Sequence, residues 1–175
     1  MARIKLQRPW SQRSKPSTIA PSESGALDDP GEGVFGLLHS RHPEVAERET
    51  RSMILLEEKD GLPAGEYLFL EAFCQGKKCD CRRVMLMVHR RDVGAKGRGE
   101  HVTTIGYGWE PLSFYLSWMY GDREGAEFMR GPVLEPNRPF SVHDVEVLRA
   151  FENVVLPSPG YVDRVRRHYD LFKAS

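Results

Sequence analysis

The chain has 175 residues, 40% of them hydrophobic and 29% charged, which is typical of a globular protein with enough apolar side chains to bury a core. Its 25 basic and 25 acidic side chains cancel, so no net charge favours nucleic acid or anionic lipid as a partner. No apolar run approaches the roughly 18 residues that span a bilayer, and no apolar segment follows the basic N-terminus as in a secretory signal. We therefore expect a cytoplasmic protein without a membrane partner.

Residues 1–33 have the composition of a disordered tail. Five Lys and Arg side chains precede the first acidic residue, Glu23, and a stretch rich in Pro and Ser leads to the turn sequence DDPGEG. Such segments bury too little apolar surface to fold alone. The alternative is a basic arm that binds nucleic acid, with Trp10 available to stack on a base. Residues 34–175 are predicted to form a single domain.

The first half of this domain is predicted to contain mostly strands. Pro43 begins a short helix that ends near Glu49, because Pro is favoured at the first helical position and acidic residues in the first turn. Four apolar runs follow, separated by turns rich in Gly or charge, as expected for antiparallel strands. These runs are RSMILLEE, EYLFLEAFC, CRRVMLMVHR and HVTTIGYG.

The second half is predicted to be helical. An apolar helix spans residues 111–120, and Asp122 caps the helix that follows it. Ser141 and Asp144 have the spacing of a capping box that begins a third helix, and a last helix begins near Ser158. Strands followed by helices predict an α+β fold, in which an antiparallel β-meander of about four strands packs against the C-terminal helices.

All three cysteines lie at the turn between the second and third predicted strands. Cys74, Cys79 and Cys81 have the spacing C-x₄-C-x-C. Zinc binds thiolates in this kind of arrangement, usually with a fourth ligand from Cys or His. The chain has no fourth Cys for an iron–sulfur cluster and no C-x-x-C redox pair. The spacing predicts a zinc site, and the alternative is three reduced, half-buried thiols without a metal.

The pairing of the second and third strands limits which residue supplies the fourth ligand. A hairpin that closes symmetrically places Cys74 opposite Cys81. His89 then lies about 26 Å along the strand from Cys81, and His101 pairs near His89, so neither histidine can reach the cysteines. In an antiparallel meander, the start of the first strand and the end of the fourth strand lie at the same end of the sheet as the cysteines. The fourth-ligand candidates at that end are His42, Glu49, Asp80 and Glu110, and His39 is a more distant one. Glu110 and His42 are the favoured two.

Four further side chains are predicted to support the site. The symmetric register places Glu71 among aromatic residues and diagonal to Arg82, and a carboxylate in such surroundings requires a charged partner. Trp109 ends the fourth strand near Arg82 and is expected to stack on its guanidinium. The neighbouring Arg83 forms either an ion pair or, with Arg82, part of an anion-binding surface.

Three segments carry a resemblance to a known family: EYLFLEAFCQGKKCDCRRVMLMV, YGWEPLSFYLSWM and YVDRVRRHYDLFK. Across residues 51–173 the chain resembles uncharacterised bacterial proteins with the pattern Y-x-F-x-E-x-x-C-x₄-C-D-C-R-R-V, then G-W-E, then H-Y-x-x-F. The resemblance implies a bacterial, cytosolic protein and no particular activity. It also implies that one site contains the cysteine turn together with Glu71, Arg82, Arg83, Trp109 and Glu110.

Three functions are compatible with these features. The leading prediction is a structural zinc site in a binding or adaptor module whose partner is a protein or a small molecule. The second is a metal-dependent hydrolase with water at the fourth position and Glu71 or Glu110 as the base. The third, less favoured, is nucleic-acid binding through the basic tail and the paired arginines. No sequence motif of a known catalytic class occurs, so whether the chain is an enzyme stays open.

Overall fold

The computed structural model describes residues 5–7, 35–136 and 141–175. Most of the predicted N-terminal tail, residues 1–33, lies outside these ranges. Within the tail, Lys5–Gln7 form a short strand, β1. The sequence predicts either a disordered tail or a nucleic-acid-binding arm for this segment. Apart from β1, the residues that these two predictions concern lie outside the described ranges.

The described elements are mostly strands in the first half of the domain and mostly helices in the second. The remaining strands are β2 (Phe35–Leu37), β3 (Arg51–Leu55), β4 (Gly65–Cys74), β5 (Arg83–Arg91), β6 (Glu100–Gly108) and β7 (Val133–Leu134). The helices are α1 (Leu38–Arg41), α2 (Pro43–Glu49), α3 (Leu112–Trp118), α4 (Arg123–Arg130), α5 (Asp144–Ala150) and α6 (Tyr161–Lys173). A π-helical turn, Phe151–Val155, continues α5.

The strands of the described residues form one antiparallel sheet in the order β1-β3-β4-β5-β6-β7. Strands β3 to β6 are neighbours both in sequence and in the sheet, so the predicted meander and the α+β class are confirmed. Strand β3 pairs with the first half of β4, and β2 pairs with its last three residues. The chain between them, α1 and α2, therefore passes alongside one edge of β4.

The hydrophobic core lies between one face of the sheet and the C-terminal helices. Alternate residues of a strand share a face, so Phe69 and Phe73 of β4 both point toward the helices. The Phe69 ring lies 5.9 Å from that of Phe151, and the Phe73 ring lies 5.7 Å from that of Phe172. Helix α6 thus covers the half of β4 that leads to the cysteine turn.

The predicted cap of α4 is confirmed, because Asp122 accepts a hydrogen bond from the backbone N–H of Gly125 at 3.2 Å. The capping box predicted for α5 is formed only in part. The backbone N–H of Ser141 donates to Oδ1 of Asp144 at 2.9 Å, but the N-cap of α5 is His143, whose side chain does not cap the helix. None of the described helices has both the length and the apolar character needed to cross a membrane.

The β4–β5 hairpin differs from the symmetric closure by two residues. Phe73 pairs with Val84, where symmetric closure requires Arg82. Arg82 has a φ of 45°, in the left-handed region, so the ladder with β4 begins only after it. Cys81 therefore lies in the connection and is not opposite Cys74. A shift of two residues leaves each side chain on the predicted face of the sheet.

Candidate metal centre

The sulfur atoms of Cys74, Cys79 and Cys81 lie within 4.8 Å of one another. All three cysteines are free of disulfide bonds. Cys74 and Cys81 are buried, with 2% and 3% of their surface exposed, whereas Cys79 is half-buried. Three sulfur atoms at these separations can bind a single metal ion. The predicted convergence of the cysteines is confirmed.

The backbone of the turn brings the three sulfurs together. Cys74 ends β4 and pairs with Phe35 of β2, so its position is fixed by the sheet. The backbone N–H of Cys79 donates to the carbonyl oxygen of Gly76 at 3.0 Å and closes the turn. A Cβ atom on Gly76 would lie 3.1 Å from Cβ of Cys79 and 3.6 Å from Sγ of Cys74. A larger residue at this position would therefore crowd both cysteines.

Two cationic side chains hold the turn against the end of α6. The ammonium group of Lys173 donates to the carbonyl oxygens of Gly76 and Cys74. Arg41 of α1 donates to Oε1 of Gln75 at 3.2 Å and to the carbonyl oxygen of Phe172 at 3.1 Å. The cysteine turn is thus attached to both the first and the last helix of the domain.

The surroundings of Cys74 and Cys81 raise the pKa of both thiols and so favour their protonated form when no cation is bound. Burial, together with the neighbouring thiols Cys79 and Cys74, raises the pKa of Cys81 to about 12. Burial also raises the pKa of Cys74, although the charge of Lys173 opposes the shift. A bound metal ion stabilises thiolates directly, so the site needs a cation in order to hold its sulfurs ionised.

No fourth His, Cys, Asp or Glu joins this group within the described part of the chain. Nε2 of His42 is buried and has no hydrogen-bond partner among the described residues. Oε1 of Glu110 instead accepts a hydrogen bond from Arg82 at 3.3 Å. The structure therefore brings together the three predicted cysteine ligands but none of the predicted candidates for the fourth.

His89 and His101 lie away from the cysteine group, as the sequence predicts. They pair with each other across β5 and β6, and their ring centroids are 5.3 Å apart. Every His and Cys of the sequence falls within residues 35–136 and 141–175. Because neither residue type occurs outside the described ranges, the remainder of the chain cannot supply a fourth imidazole or thiolate.

Glu71 has a different partner from the predicted one. Its Oε1 accepts a hydrogen bond from Nη2 of Arg164 at 2.9 Å, and its Oε2 lies 2.6 Å from Nδ1 of His168. Arg82 is not involved, because it lies outside the β4–β5 ladder and its guanidinium pairs with Asp80 and Glu110. The prediction of a Glu71–Arg82 pair is wrong. Glu71 is 4% exposed and serves as the anchor of a buried ionic cluster.

The ionic cluster continues to α2 through the second ring nitrogen of His168. Nε2 of His168 lies 3.1 Å from Oε2 of Glu49, which Arg167 also contacts. Burial raises the pKa of Glu49, but hydrogen bonds with Arg48 and His168 and the charge of Arg167 outweigh it and lower the pKa overall. His168 therefore bridges two carboxylates that belong to different elements.

Arg82 supports the cysteine turn from outside. Its guanidinium binds both oxygens of Asp80 at 3.0 Å, and this hydrogen bonding raises its pKa. It lies 4.7 Å from the ring centroid of Phe114. The predicted stacking partner, Trp109, packs edge-on against Tyr169 at 5.1 Å instead. The Arg82–Trp109 prediction is wrong because α3 supplies a closer aromatic ring.

Arg83 forms an internal ion pair. It is 3% exposed, and its Nη2 donates to Oε1 of Glu135 at 2.6 Å. Burial lowers its pKa, and the charge of Glu135 opposes this shift. The guanidinium also lies 4.7 Å from the ring centroid of Phe128. These contacts favour the structural interpretation of Arg83 over anion recognition.

Two tyrosines that the sequence did not single out also hold the cysteine turn. The hydroxyl of Tyr115 donates to the carbonyl oxygen of Arg82 at 2.8 Å and accepts from the backbone N–H of Glu110 at 3.3 Å. Burial raises the pKa of Tyr115 to about 12. The hydroxyl of Tyr169 donates to Asp80 at 3.4 Å. A tyrosine on a helix carries no sequence signal that would distinguish this role from core packing.

The half-buried side of the cysteine group faces a groove of about 530 Å³. Trp118 is 38% exposed and Tyr120 is fully exposed, so two aromatic side chains of this groove contact solvent. The groove, called the α3 groove here, is lined by Lys78, Cys79, Asp80, Ser117, Trp118, Met119 and Tyr120.

A second cavity, of about 240 Å³, lies between β3 and α5. Its floor is apolar, with Met53, Leu55 and Leu62, and charged side chains such as Lys59 and Glu146 line its edge. None of the groups that could hold a metal ion among the described residues lies there. Among the described residues, the candidate metal ligands therefore lie at the cysteine turn and not in this cavity.

No family model, no curated protein and no solved structure matches this chain. The resemblance of the cysteine-turn pattern to a bacterial family therefore stays a prediction. The function of the chain is inferred from the chemistry of the cysteine turn itself.

Proposed function

We propose that the protein is a zinc-binding module in which Cys74, Cys79 and Cys81 hold the ion as thiolates. The observation that carries this proposal is the convergence of three free sulfur atoms within 4.8 Å, two of them buried. Thiolate ligands select zinc, copper(I) and iron–sulfur clusters. Iron–sulfur clusters use four cysteines, and the chain has three. Zinc accepts three protein ligands together with one further donor.

The proposed ion has a structural role at the junction of three elements. It would join the end of β4 to the connection that leads into β5, and Lys173 would tie this junction to α6. Binding free energy at such a site contributes directly to folding, because the unfolded chain does not hold the ligands together. Three closely spaced free thiols persist in a reducing compartment, which supports a cytoplasmic location.

The contacts of the acidic residues support binding rather than hydrolysis. Glu71 is enclosed by Arg164 and His168, so it cannot accept a proton from a metal-bound water. Glu110 is paired with Arg82. A hydrolase needs a base beside the open position of the metal, and both predicted bases are engaged elsewhere.

The contacts of the paired arginines also argue against nucleic-acid binding through these residues. Arg82 pairs with Asp80, and Arg83 pairs with Glu135. The other two adjacent arginines, Arg90 and Arg91, also have partners within the protein. Arg91 contacts Glu66, and Arg90 donates to the carbonyl oxygen of Ala64. Guanidinium groups that already have protein partners contribute little to phosphate binding. The exposed aromatic side chains of the α3 groove instead suit a binding or adaptor module.

Elemental analysis tests the proposal. The full chain is purified under reducing conditions without added metal or chelator, beside the Cys79→Ser and Lys77→Ser variants. We expect close to one equivalent of zinc in the wild type and in Lys77→Ser, whose exposed side chain lies in the same turn, and a large loss in Cys79→Ser. Less than about a tenth of an equivalent of any transition metal in the wild type would overturn the proposal.

A further inference from the structure

We infer that the fourth ligand of the proposed zinc ion is an imidazole supplied by a partner polypeptide that occupies the α3 groove. This inference rests on the proposed function and names the chemistry of the partner. It starts from the incomplete ligand set of Cys74, Cys79 and Cys81. Structural zinc sites are almost always four-coordinate, and three cysteines are commonly completed by one histidine.

The chain itself does not supply that histidine. Within the described residues no His lies in the group formed by the three sulfur atoms. The sequence outside the described ranges contains no His at all. An imidazole at this position must therefore come from another molecule.

The direction of approach follows from the burial of the three sulfurs. Cys74 pairs with Phe35 of β2 and is buried, and Cys81 is buried as well, so solvent reaches neither residue. Cys79 is half-buried and lines the α3 groove. Among the described residues, a fourth ligand from outside therefore has its accessible approach along this groove, past Cys79.

Charge favours a neutral donor at the open position. Three thiolates and one zinc ion carry a net negative charge. Asp80 lines the same groove but is paired with Arg82, so the excess negative charge comes from the thiolates. A carboxylate or a fourth thiolate would add to that charge in a partly desolvated site, at a cost in desolvation free energy. A neutral imidazole coordinates zinc without that cost.

The groove has more room than a water molecule or a free imidazole needs. Its volume of about 530 Å³ accommodates several side chains. Trp118, Met119 and Tyr120 line it, and aromatic and Met side chains are enriched at protein interfaces. The occupant is therefore a polypeptide segment in which a histidine has apolar neighbours.

Spectroscopy of the cobalt-substituted full chain tests this inference. The probe is the peptide acetyl-Leu-His-Phe-amide, and the matched control is acetyl-Leu-Ala-Phe-amide. We expect the histidine peptide to shift the visible bands of the bound cobalt, and the alanine peptide to leave them unchanged. The Trp118→Ala and Tyr120→Ala variants should bind cobalt as the wild type does but bind the histidine peptide at least about fivefold more weakly.

The possible failures are distinguishable. If cobalt and zinc do not bind to the three cysteines, the proposed function fails and this inference fails with it. If cobalt binds but neither peptide changes its spectrum, the ion already has a closed ligand set, so the inference is overturned while the proposed function stands. If the spectrum depends on protein concentration without any peptide, a second copy of the chain supplies the ligand and the assignment to a partner is overturned. Equal affinity for the peptide in the wild type and both variants would overturn the assignment to the α3 groove.

Discussion

Nδ1 of His168 lies 2.6 Å from Oε2 of Glu71, and both side chains are almost completely buried. Arg164, one helical turn earlier on α6, binds the other oxygen of the same carboxylate. Two side chains of α6 therefore bind the same carboxylate of β4. These two contacts fix the position of α6 across the sheet. The same helix carries Tyr169 and Lys173 to the cysteine turn, where they contact Asp80 and Gly76. The buried ionic cluster thus helps to position the cysteine turn from a distance.

Replacing Glu71 with alanine should destabilise the fold strongly. Arg164 is 6% exposed in its side chain and would be left as a buried charge without its carboxylate partner. Removing one member of a buried ion pair costs about 3–5 kcal/mol. Chemical denaturation measures the change in the free energy of unfolding.

The control for this variant is Glu127→Ala, which breaks an exposed ion pair with Arg123 on α4. We expect it to cost less than about 0.5 kcal/mol, because exposed pairs contribute little. A cost below about 1 kcal/mol for Glu71→Ala would contradict the role of Glu71 as an anchor.

Lys173→Met should weaken metal binding without a large loss of fold stability. The ammonium group bonds two carbonyl oxygens of the cysteine turn, at Gly76 and Cys74, and lies on the last turn of α6. Without it the turn gains conformational freedom that binding must remove, and we expect zinc affinity to fall about five- to tenfold.

Competition with a chelator of known affinity measures this change, and Lys96→Met, in the exposed loop between β5 and β6, is the matched control. Equal zinc affinities for the two variants would show that the contacts of Lys173 do not stabilise the site.

Tyr161→Phe should leave stability at neutral pH unchanged or raise it by up to about 1 kcal/mol. The hydroxyl of Tyr161 is buried and has no hydrogen-bond partner among the described residues, so its removal relieves a desolvation cost. Tyr67→Phe is the contrasting variant, because its hydroxyl donates to the carbonyl oxygen of Pro63 at 2.9 Å. We expect that change to cost about 1 kcal/mol in the same denaturation experiment. A clear loss of stability in Tyr161→Phe at neutral pH would reveal a bonding partner.

Tyr161→Phe should also reduce the loss of folding stability at alkaline pH. Burial, with a smaller contribution from Glu71, raises the pKa of Tyr161 above the ordinary value of 10. Above pH 10 the folded state therefore keeps this hydroxyl protonated while the unfolded chain ionises. The contribution of Tyr161 to the free energy of unfolding is constant below pH 10. Above pH 10 it declines by about 1.4 kcal/mol per pH unit. Phenylalanine has no such proton.

Unfolding measured from about pH 9 to pH 11 tests this, with Tyr120→Phe as the control because Tyr120 is fully exposed. We expect Tyr161→Phe to lose less stability over this range than the wild type, and Tyr120→Phe to lose as much. Parallel curves for all three proteins would contradict the assignment to Tyr161.

Removing zinc should lower the stability of the wild type and have no effect on Cys79→Ser. A ligand that binds only the folded state stabilises it by about 2.7 kcal/mol when its free concentration is 100 times its dissociation constant. Thermal unfolding at a series of buffered zinc concentrations measures this dependence. A melting temperature that does not change with zinc would show that the ion does not contribute to folding.

Local features of the sequence determined the strands, the helices and the cysteine group. The apolar runs of β3 to β6 and the cap at Asp122 act within a few residues, so they are readable without a structure. The cysteines are separated by at most seven positions and meet through a single turn. Strands of two or three residues, such as β2 and β7, are too short to leave a pattern.

Only the tertiary structure decided what surrounds those cysteines. The partners of Glu71 lie 93 and 97 positions away on α6, and α6 could cover either face of the sheet as far as its apolar pattern shows. The left-handed backbone of Arg82 moved the hairpin register by two residues and placed its side chain against Phe114. Contacts of this kind depend on how elements pack over long distances in sequence, which local propensity does not specify.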